Sequence, residues 1–306
     1  MKHYNEASEF AERVANIHIN HSKVQRIFNI LTSMRCLGKV GQGKNSPVGL
    51  FIIGQSGVGK TRMIKKYTDL NPGYIKLIDD IEYDIKPVVY LELPDPFTIL
   101  ELYQTIIRAL GAPERLGRPT IGEVKRQVFT LLLKQEVEML ILDEMDYILS
   151  SKYVKNQEAM EAIKHISNVA KISLVCLGTP PVDSLRKINF QYFRRFTKIQ
   201  FERFNELDDE FCLFLKNIEE QIKPVQYIGL GDLDTGLPQI FYGMSKGLVS
   251  IITTTIQEAY RLAGIFDKGF NDISKSKLDV DLLYTAYKNI VGDMTETDFQ
   301  KAIDLR

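Results

Sequence analysis

The stretch "GQSGVGKT", Gly54 to Thr61, satisfies the pattern G-x-x-x-x-G-K-S/T. The chemistry of that pattern is phosphate binding. Gly54, Gly57 and Gly59 let the backbone curl until its N–H groups face an anion, and Gln55, Ser56 and Val58 complete the curl. A helix beginning at the loop adds partial positive charge at its N-terminus, with Arg62 just inside it. The Lys60 ammonium suits the β- and γ-phosphates of a triphosphate, and the Thr61 hydroxyl suits Mg²⁺. Such a loop needs a carboxylate at the end of a neighbouring strand. "MLILDE" supplies Asp143 for the metal, directly or through water, and Glu144 to polarise an attacking water. Thr179 in "LVCLGTPP" is a polar strand-end residue able to sense a γ-phosphate. Arg194 and Arg195 in "FRRF" can reach a neighbouring subunit's nucleotide and neutralise transition-state charge. Arg195 is favoured, because the apolar Phe196 that follows would anchor it. The plain alternatives are strand-end charges, a turn threonine and a pair of surface arginines.

Other chemistries find less support. Cys36, Cys176 and Cys212 are far apart and odd in number, which reads as reduced thiols in a cytosolic protein. His3, His18, His21 and His165 make no zinc pattern with them. Lys and Arg number 39 and Asp and Glu number 39, so bulk charge offers no broad grip on nucleic acid. A local basic track stays open. No apolar run is long enough to span a bilayer. "MKHYNEASEF" lacks the apolar core of a signal peptide, so the expected location is the cytoplasm.

The elements that must position these groups follow from hydrophobic periodicity. "VGLFII" predicts a buried strand and "GKTRMIKKYTDL" the helix after the loop. "KPVVYLELP", "VEMLILDE", "ISLVCLG" and "FTKIQF" predict four more strands. Between them "FTILELYQTIIRALG", "IGEVKRQVFTLLLKQE" (capped by Thr120) and "EAMEAIKHISNVAK" read as helices. Nearly all-apolar strands alternating with helices indicate a parallel sheet covered on both faces. Upstream, "EFAERVANIHINH" reads as an extended lead-in, Ser22 to Met34 as a helix, and "LGKVGQGKNSP" as a loop. After Asn205, "ELDDEFCLFLKNIEEQI", "GLVSIITTTIQEAYRLAG", "SKLDVDLLYTAYKNIVG" and "TETDFQKAIDL" read as helices with no further strand. The expected division is therefore 1–47, a lead-in segment and helix; 48–204, an α/β core; and 205–306, a helical lid with C-terminal helices.

In this order the pieces resemble an AAA+ ATPase, and more narrowly the TniB/TnsC group of ATPases that regulate target choice in DNA transposition. "HINHSKVQRIFNIL", "GQSGVGKT", "VEMLILDEMDYIL", "LVCLGTP" and "FRRF" carry the resemblance, which runs from about residue 10 to 265. It implies an α/β P-loop fold of the additional-strand class, with sheet order 5-1-4-3-2 and a helical lid. It implies that ATP is bound with Mg²⁺, that subunits assemble with one another on duplex DNA as rings or filaments, and that the assembly links a TniQ-type target selector to a DDE transposase. Hydrolysis, slow and regulatory, would time disassembly. The segment around Val14 to Ile19 would pack near the adenine. DNA contacts would come from Thr120, Lys125 and Arg126, with Thr98 standing where a lysine is expected. Thr120 can equally be only a helix cap.

One departure concerns the lid. Relatives often place an arginine after a glycine near the start of a lid helix. Here Ser250 and Ile251 occupy that place, with Lys246 as the available substitute. "IITTTI" is also rich in β-branched residues for a helix. Two other readings stay open: a helicase-loader or initiator ATPase, and a nucleotide-gated signalling module that hydrolyses little.

Overall fold

The computed structural model describes residues 2–18, 21–40, 47–113, 117 and 119–292. In chain order, α1 (Lys2–Ala15) and α2 (Ser22–Val40) precede β1 (Gly49–Ile53). Then come α3 (Lys60–Asp69), a hairpin of β2 (Tyr74–Ile78) and β3 (Ile81–Ile85), β4 (Val88–Glu92), α4 (Ile99–Ala109) and α5 (Ile121–Lys134). They are followed by β5 (Met139–Asp143), α6 (Asp146–Ser150), α7 (Asn156–Ala170), β6 (Ser173–Gly178), α8 (Asp183–Arg186), α9 (Phe190–Arg195) and β7 (Phe196–Gln200). Helices α10 (Asp209–Ile222), α11 (Leu237–Ser245), α12 (Val249–Leu262) and α13 (Val280–Val291) complete the described chain. Among the described residues no helix is long and apolar enough to cross a membrane.

These residues fall into two compact units. One gathers the described parts of 1–25, 55–62 and 202–306; the other gathers 26–54 and 63–201.

The second unit holds a five-stranded sheet in the order β4-β5-β6-β1-β7, with every pairing parallel. Numbering only these five strands along the chain gives 5-1-4-3-2, as expected. β1, β5 and β6 are buried along their whole length, because helices cover both faces. Phe51 and Phe196 meet edge to face with ring centroids 5.4 Å apart. Gly49 is required for that pair: a Cβ there would stand 2.2 Å from Phe196 Cδ1. The registers Glu92↔Asp143, Leu142↔Cys176 and Ile53↔Gly178 bring the carboxyl ends of four strands to one edge.

The structure differs from the sequence reading upstream of β1. The lead-in is helix α1, whose Ala7, Phe10 and Val14 form a buried helical stripe. Gln257 Nε2 caps its end by donating to Val14 O (3.1 Å) and Ala15 O (2.9 Å), partners more than 240 residues away. Helix α2 runs past Met34 to Val40, taking in part of the expected loop. Arg35, in its last turns, donates to Glu138 Oε2 at 2.8 Å and to Asn71 Oδ1. The sequence reading also lacks the short helices α6, α8 and α9, a hairpin and a lid helix. "YIKLIDDIEYDI" is the β2–β3 hairpin, with Asp79 and Asp80 both left-handed (φ 49 and 60), as a two-residue turn of twist-matched hand requires. "LPQIFYGMS" is α11. The expected helix over "TETDFQKAIDL" lies outside the described residues, as does Ile19.

Candidate functional site

The first unit presents the phosphate loop together with the start of α12. Gly57 and Gly59 take φ of +82 and +98, conformations that side-chain-bearing residues avoid. Val58 is buried, so the turn of the loop is pinned inward between the two glycines. Ser56 is exposed, while Gln55, Thr61 and Arg62 are half-buried. Lys60 opens α3 and its Nζ donates to Gln55 O at 3.0 Å, folding the ammonium back over the loop. Ser250, in the first turn of α12, donates its backbone N–H to Gly57 O at 2.9 Å. That N–H is one of the donors a helix start leaves without an intrahelical partner. A Cβ at Gly57 would stand 2.5 Å from Ser250 Oγ. The position expected for a lid arginine therefore carries a small residue that touches the loop backbone. Lys246 caps α11, its N–H bonded to Tyr242 O at 2.8 Å.

The β-branched run in α12 is accommodated by burial. Ile252, Thr253, Thr255 and Ile256 all face the interior. Thr253 Oγ1 donates back to Ser250 O at 3.2 Å, and Thr254 Oγ1 bonds the same carbonyl. In this unit Val14 and Ile17 are buried. His21 packs edge-on against Phe204 and Phe214, with centroids 5.4 and 6.1 Å away. Burial pulls its pKa down to about 4, outweighing the attraction of Glu210.

The second unit presents the carboxylate edge. Asp143 ends the buried strand β5 and is only 2% exposed. Its Oδ1 accepts the Glu144 N–H at 2.8 Å, and its Oδ2 lies 3.1 Å from Tyr90 Oη on the adjacent strand. Tyr90 Oη also lies 2.8 Å from Glu92 Oε1, the residue in register with Asp143. Lys65 Nζ pairs with that same Glu92 oxygen at 3.1 Å and sits 5.2 Å over the Tyr90 ring. Bonds from Tyr90 and Lys65 lower the Glu92 pKa. Burial, with the nearby Asp143 charge, keeps the Tyr90 phenol protonated. Glu144 is exposed and left-handed, at φ 57. A non-glycine residue held there costs about 1–2 kcal/mol, a strain that surrounding structure must enforce. The next residue does so: Met145 is buried and its N–H bonds Leu177 O at 3.0 Å.

Thr179 follows β6 at this edge. Asp146 accepts both its N–H (3.0 Å) and its hydroxyl. Arg195 is half-buried: Nη2 donates to Ser167 Oγ at 3.0 Å and Nη1 to Asn168 Oδ1 on α7. Phe196, the next residue, is buried, and Arg194 is exposed. Thr98 caps α4 by accepting the Glu101 N–H at 3.1 Å. Thr120 forms a full capping box with Glu123, so its hydroxyl has a local partner. Arg126 is exposed, whereas Lys125 is half-buried; burial, with the nearby Lys125 charge, lowers the pKa of His165 on α7. Leu110 O accepts from Lys86 Nζ (2.7 Å) and Gln135 Nε2 (2.9 Å), so α4 and α5 end together. Helix α4 leaves the carboxyl end of β4, and α5 leads into the start of β5. Both helices thus begin toward the edge that carries Asp143.

Sequence reasoning missed Lys65, Tyr90, Glu92 and Asp146. Only Asp146 had a signal, the third position after Asp143 in "DEMD". Tyr90 and Glu92 depend on strand register, and Lys65 on where α3 packs. Among the described residues no group of three or more His, Cys, Asp and Glu could hold a metal by protein ligands alone. The buried Asp143 carboxylate suits Mg²⁺, a hard cation that keeps waters and takes phosphate oxygens as ligands.

A family model described as the bacterial TniB protein matches residues 13–206. No functionally curated protein matches the chain. Among solved structures, the chain is similar to the Aeropyrum pernix ORC2 protein in ADPNP–ADP complexes. The TM-score is 0.59 at 14% identity, covering 89% of this chain and 70% of that one. It is also similar to the Aeropyrum pernix ORC1 protein in complex with DNA (0.54, 14%, 85% and 64%). A third is Cdc6p from Pyrobaculum aerophilum (0.51, 12%, 94% and 86%). The chain thus spans 64% of the ORC1 chain. At these identities the likeness is one of fold, and the fold is that of the AAA+ P-loop ATPases.

Proposed function

The chain belongs to the bacterial TniB family, and from that premise we propose an ATP-dependent regulator of DNA transposition that assembles on duplex DNA. The observation that carries the ATP reading is the strand-edge pair: buried Asp143 followed by strained, exposed Glu144. Strain of this kind is kept where a side chain must be presented. In this reading Gly54 to Thr61, with Arg62, bind the triphosphate, and Lys60 leaves Gln55 O for the β- and γ-phosphates. Thr61 and Asp143 hold Mg²⁺. When bound, the ion neutralises phosphate charge. Glu144 orients and deprotonates the attacking water. Thr179, aimed by Asp146, senses the γ-phosphate. Arg194 supplies the trans charge, because its exposure leaves it able to reach a second subunit, while Arg195 braces α9 against α7. Thr98, Thr120 and Arg126 meet DNA phosphate at the starts of α4 and α5. Lys125 adds charge beside them. The assembly links a TniQ-type selector to a DDE transposase, and slow hydrolysis releases it.

Electron microscopy of the protein with duplex DNA and a non-hydrolysable ATP analogue tests this reading. Ordered rings or filaments that require both are expected. A protein that stays monomeric with both sinks the reading. The likeness to ORC proteins supports an initiator or loader as the second reading. Stimulation of a helicase, with no effect on transposition, would favour that alternative. A nucleotide-gated module would bind ATP with equal, negligible turnover in wild type and Glu144→Gln.

A further inference from the structure

The carboxylate assigned to Mg²⁺ is held from two sides. Its Oδ1 takes the Glu144 N–H, and its Oδ2 faces the Tyr90 hydroxyl at 3.1 Å. The same hydroxyl faces Glu92 Oε1 at 2.8 Å. A phenol has one proton, so it serves one of these two carboxylates at a time. Lys65 biases the choice. Its ammonium lies 3.1 Å from the same Glu92 oxygen, so Glu92 has a donor without Tyr90. The phenol proton is thereby released to Asp143.

We propose that Tyr90 is a positioning residue for the metal-holding carboxylate, aiming Asp143 through its hydroxyl, with Lys65 neutralising the competing acceptor Glu92. The proposal rests on the ATP reading above. It gives this sheet edge an outer shell drawn from α3 and β4, neither of which contributes to the Asp143–Glu144 motif. Outer-shell partners of metal ligands typically change metal affinity 10- to 100-fold when removed.

The test is nucleotide binding by the full-length chain, followed with a fluorescent ATP analogue while Mg²⁺ is titrated. Tyr90→Phe should raise the Mg²⁺ midpoint about tenfold, near the lower end of that range. Binding without metal should not change, because Tyr90 acts through Asp143. Lys65→Met should raise the midpoint by a smaller factor, since Glu92 then draws the phenol proton. In the Glu92→Ala background the effect of Lys65→Met should vanish, since no competitor remains. Unchanged far-ultraviolet circular dichroism and melting temperature establish that each variant is folded. A Tyr90→Phe midpoint equal to that of wild type overturns the proposal and leaves the ATP reading standing. Equal losses with and without metal overturn it too, because they mark a structural role. If wild type binds no nucleotide under any condition, the ATP reading falls and takes this proposal with it.

Discussion

The phosphate loop is positioned by main chain, the carboxylate edge by side chains. At the loop, two glycines at positive φ set the curl, and a backbone bond from Ser250 to Gly57 O steadies it. Side-chain identity enters through the absence of Cβ atoms. At the edge, Asp143 is fixed by a hydroxyl from the neighbouring strand, and Thr179 by a carboxylate on α6. The two constructions fail differently. A main-chain site tolerates little substitution but requires few residues. A side-chain site is spread over several elements, and each partner can be removed without unfolding the backbone that bears it.

The contrast predicts separable losses. The largest is catalytic: Glu144→Gln should lower ATP turnover by about 10²- to 10⁴-fold, the usual share of a general base. Nucleotide binding should persist. Lys60→Ala should instead abolish binding and DNA assembly together, measured by filter binding and microscopy. Filaments retained in Lys60→Ala would break the ATP-switch reading.

Acid should next separate the two units. His21 has its pKa lowered from 6.5 to about 4 by burial, so the unfolded chain takes up its proton first. Its contribution is complete above pH 6.5 and is lost as pH falls toward 4. The ceiling is about 3 kcal/mol. Burial pushes the Asp183 carboxyl up, but bonds from Lys187 and Arg186 outweigh it and hold it at about 2. Stability from that cluster in the sheet unit survives until pH falls below 3.8. Denaturant melts at pH 7, 5.5 and 4.5 should therefore show the helical unit weakening first. His21→Gln should remove that early loss; an unchanged pH profile in this variant would contradict the assignment.

Gly57→Ala should follow in size. A left-handed alanine costs about 1–2 kcal/mol, and its methyl would press on Ser250 Oγ. The double variant with Ser250→Gly should recover the contact part of the loss and not the backbone part. Full recovery would mean that the loop's conformation was misread.

The smallest effect carries the opposite sign. Glu144→Gly should raise stability by about 1 kcal/mol, by relieving the φ of 57, while eliminating turnover. A calorimetric melt that falls instead would show that Glu144 is not strained.

The three central strands β1, β5 and β6 and the phosphate loop were legible in the sequence for one physical reason: their determinants are local. A strand buried on both faces must be apolar at every position, and a loop that wraps an anion must be rich in glycine. The hairpin's turn at Asp79 and Asp80 is equally local. Helix α1 was harder, because its capping groups sit on α12, more than 240 residues away.

The sequence by itself determined the five strands, the loop, and the pair Asp143–Glu144, since periodicity and motif spacing encode them directly; the sheet order was implied only by the family resemblance. Only the tertiary structure decided which arginine is exposed, because Ser167 and Asn168 on α7 hold Arg195. Only the tertiary structure placed Tyr90 against Asp143, and Glu92 and Lys65 beside that pair. Parallel pairing sets Glu92 beside Asp143 across 51 positions of chain, and no spacing rule along a single strand can express a register between two.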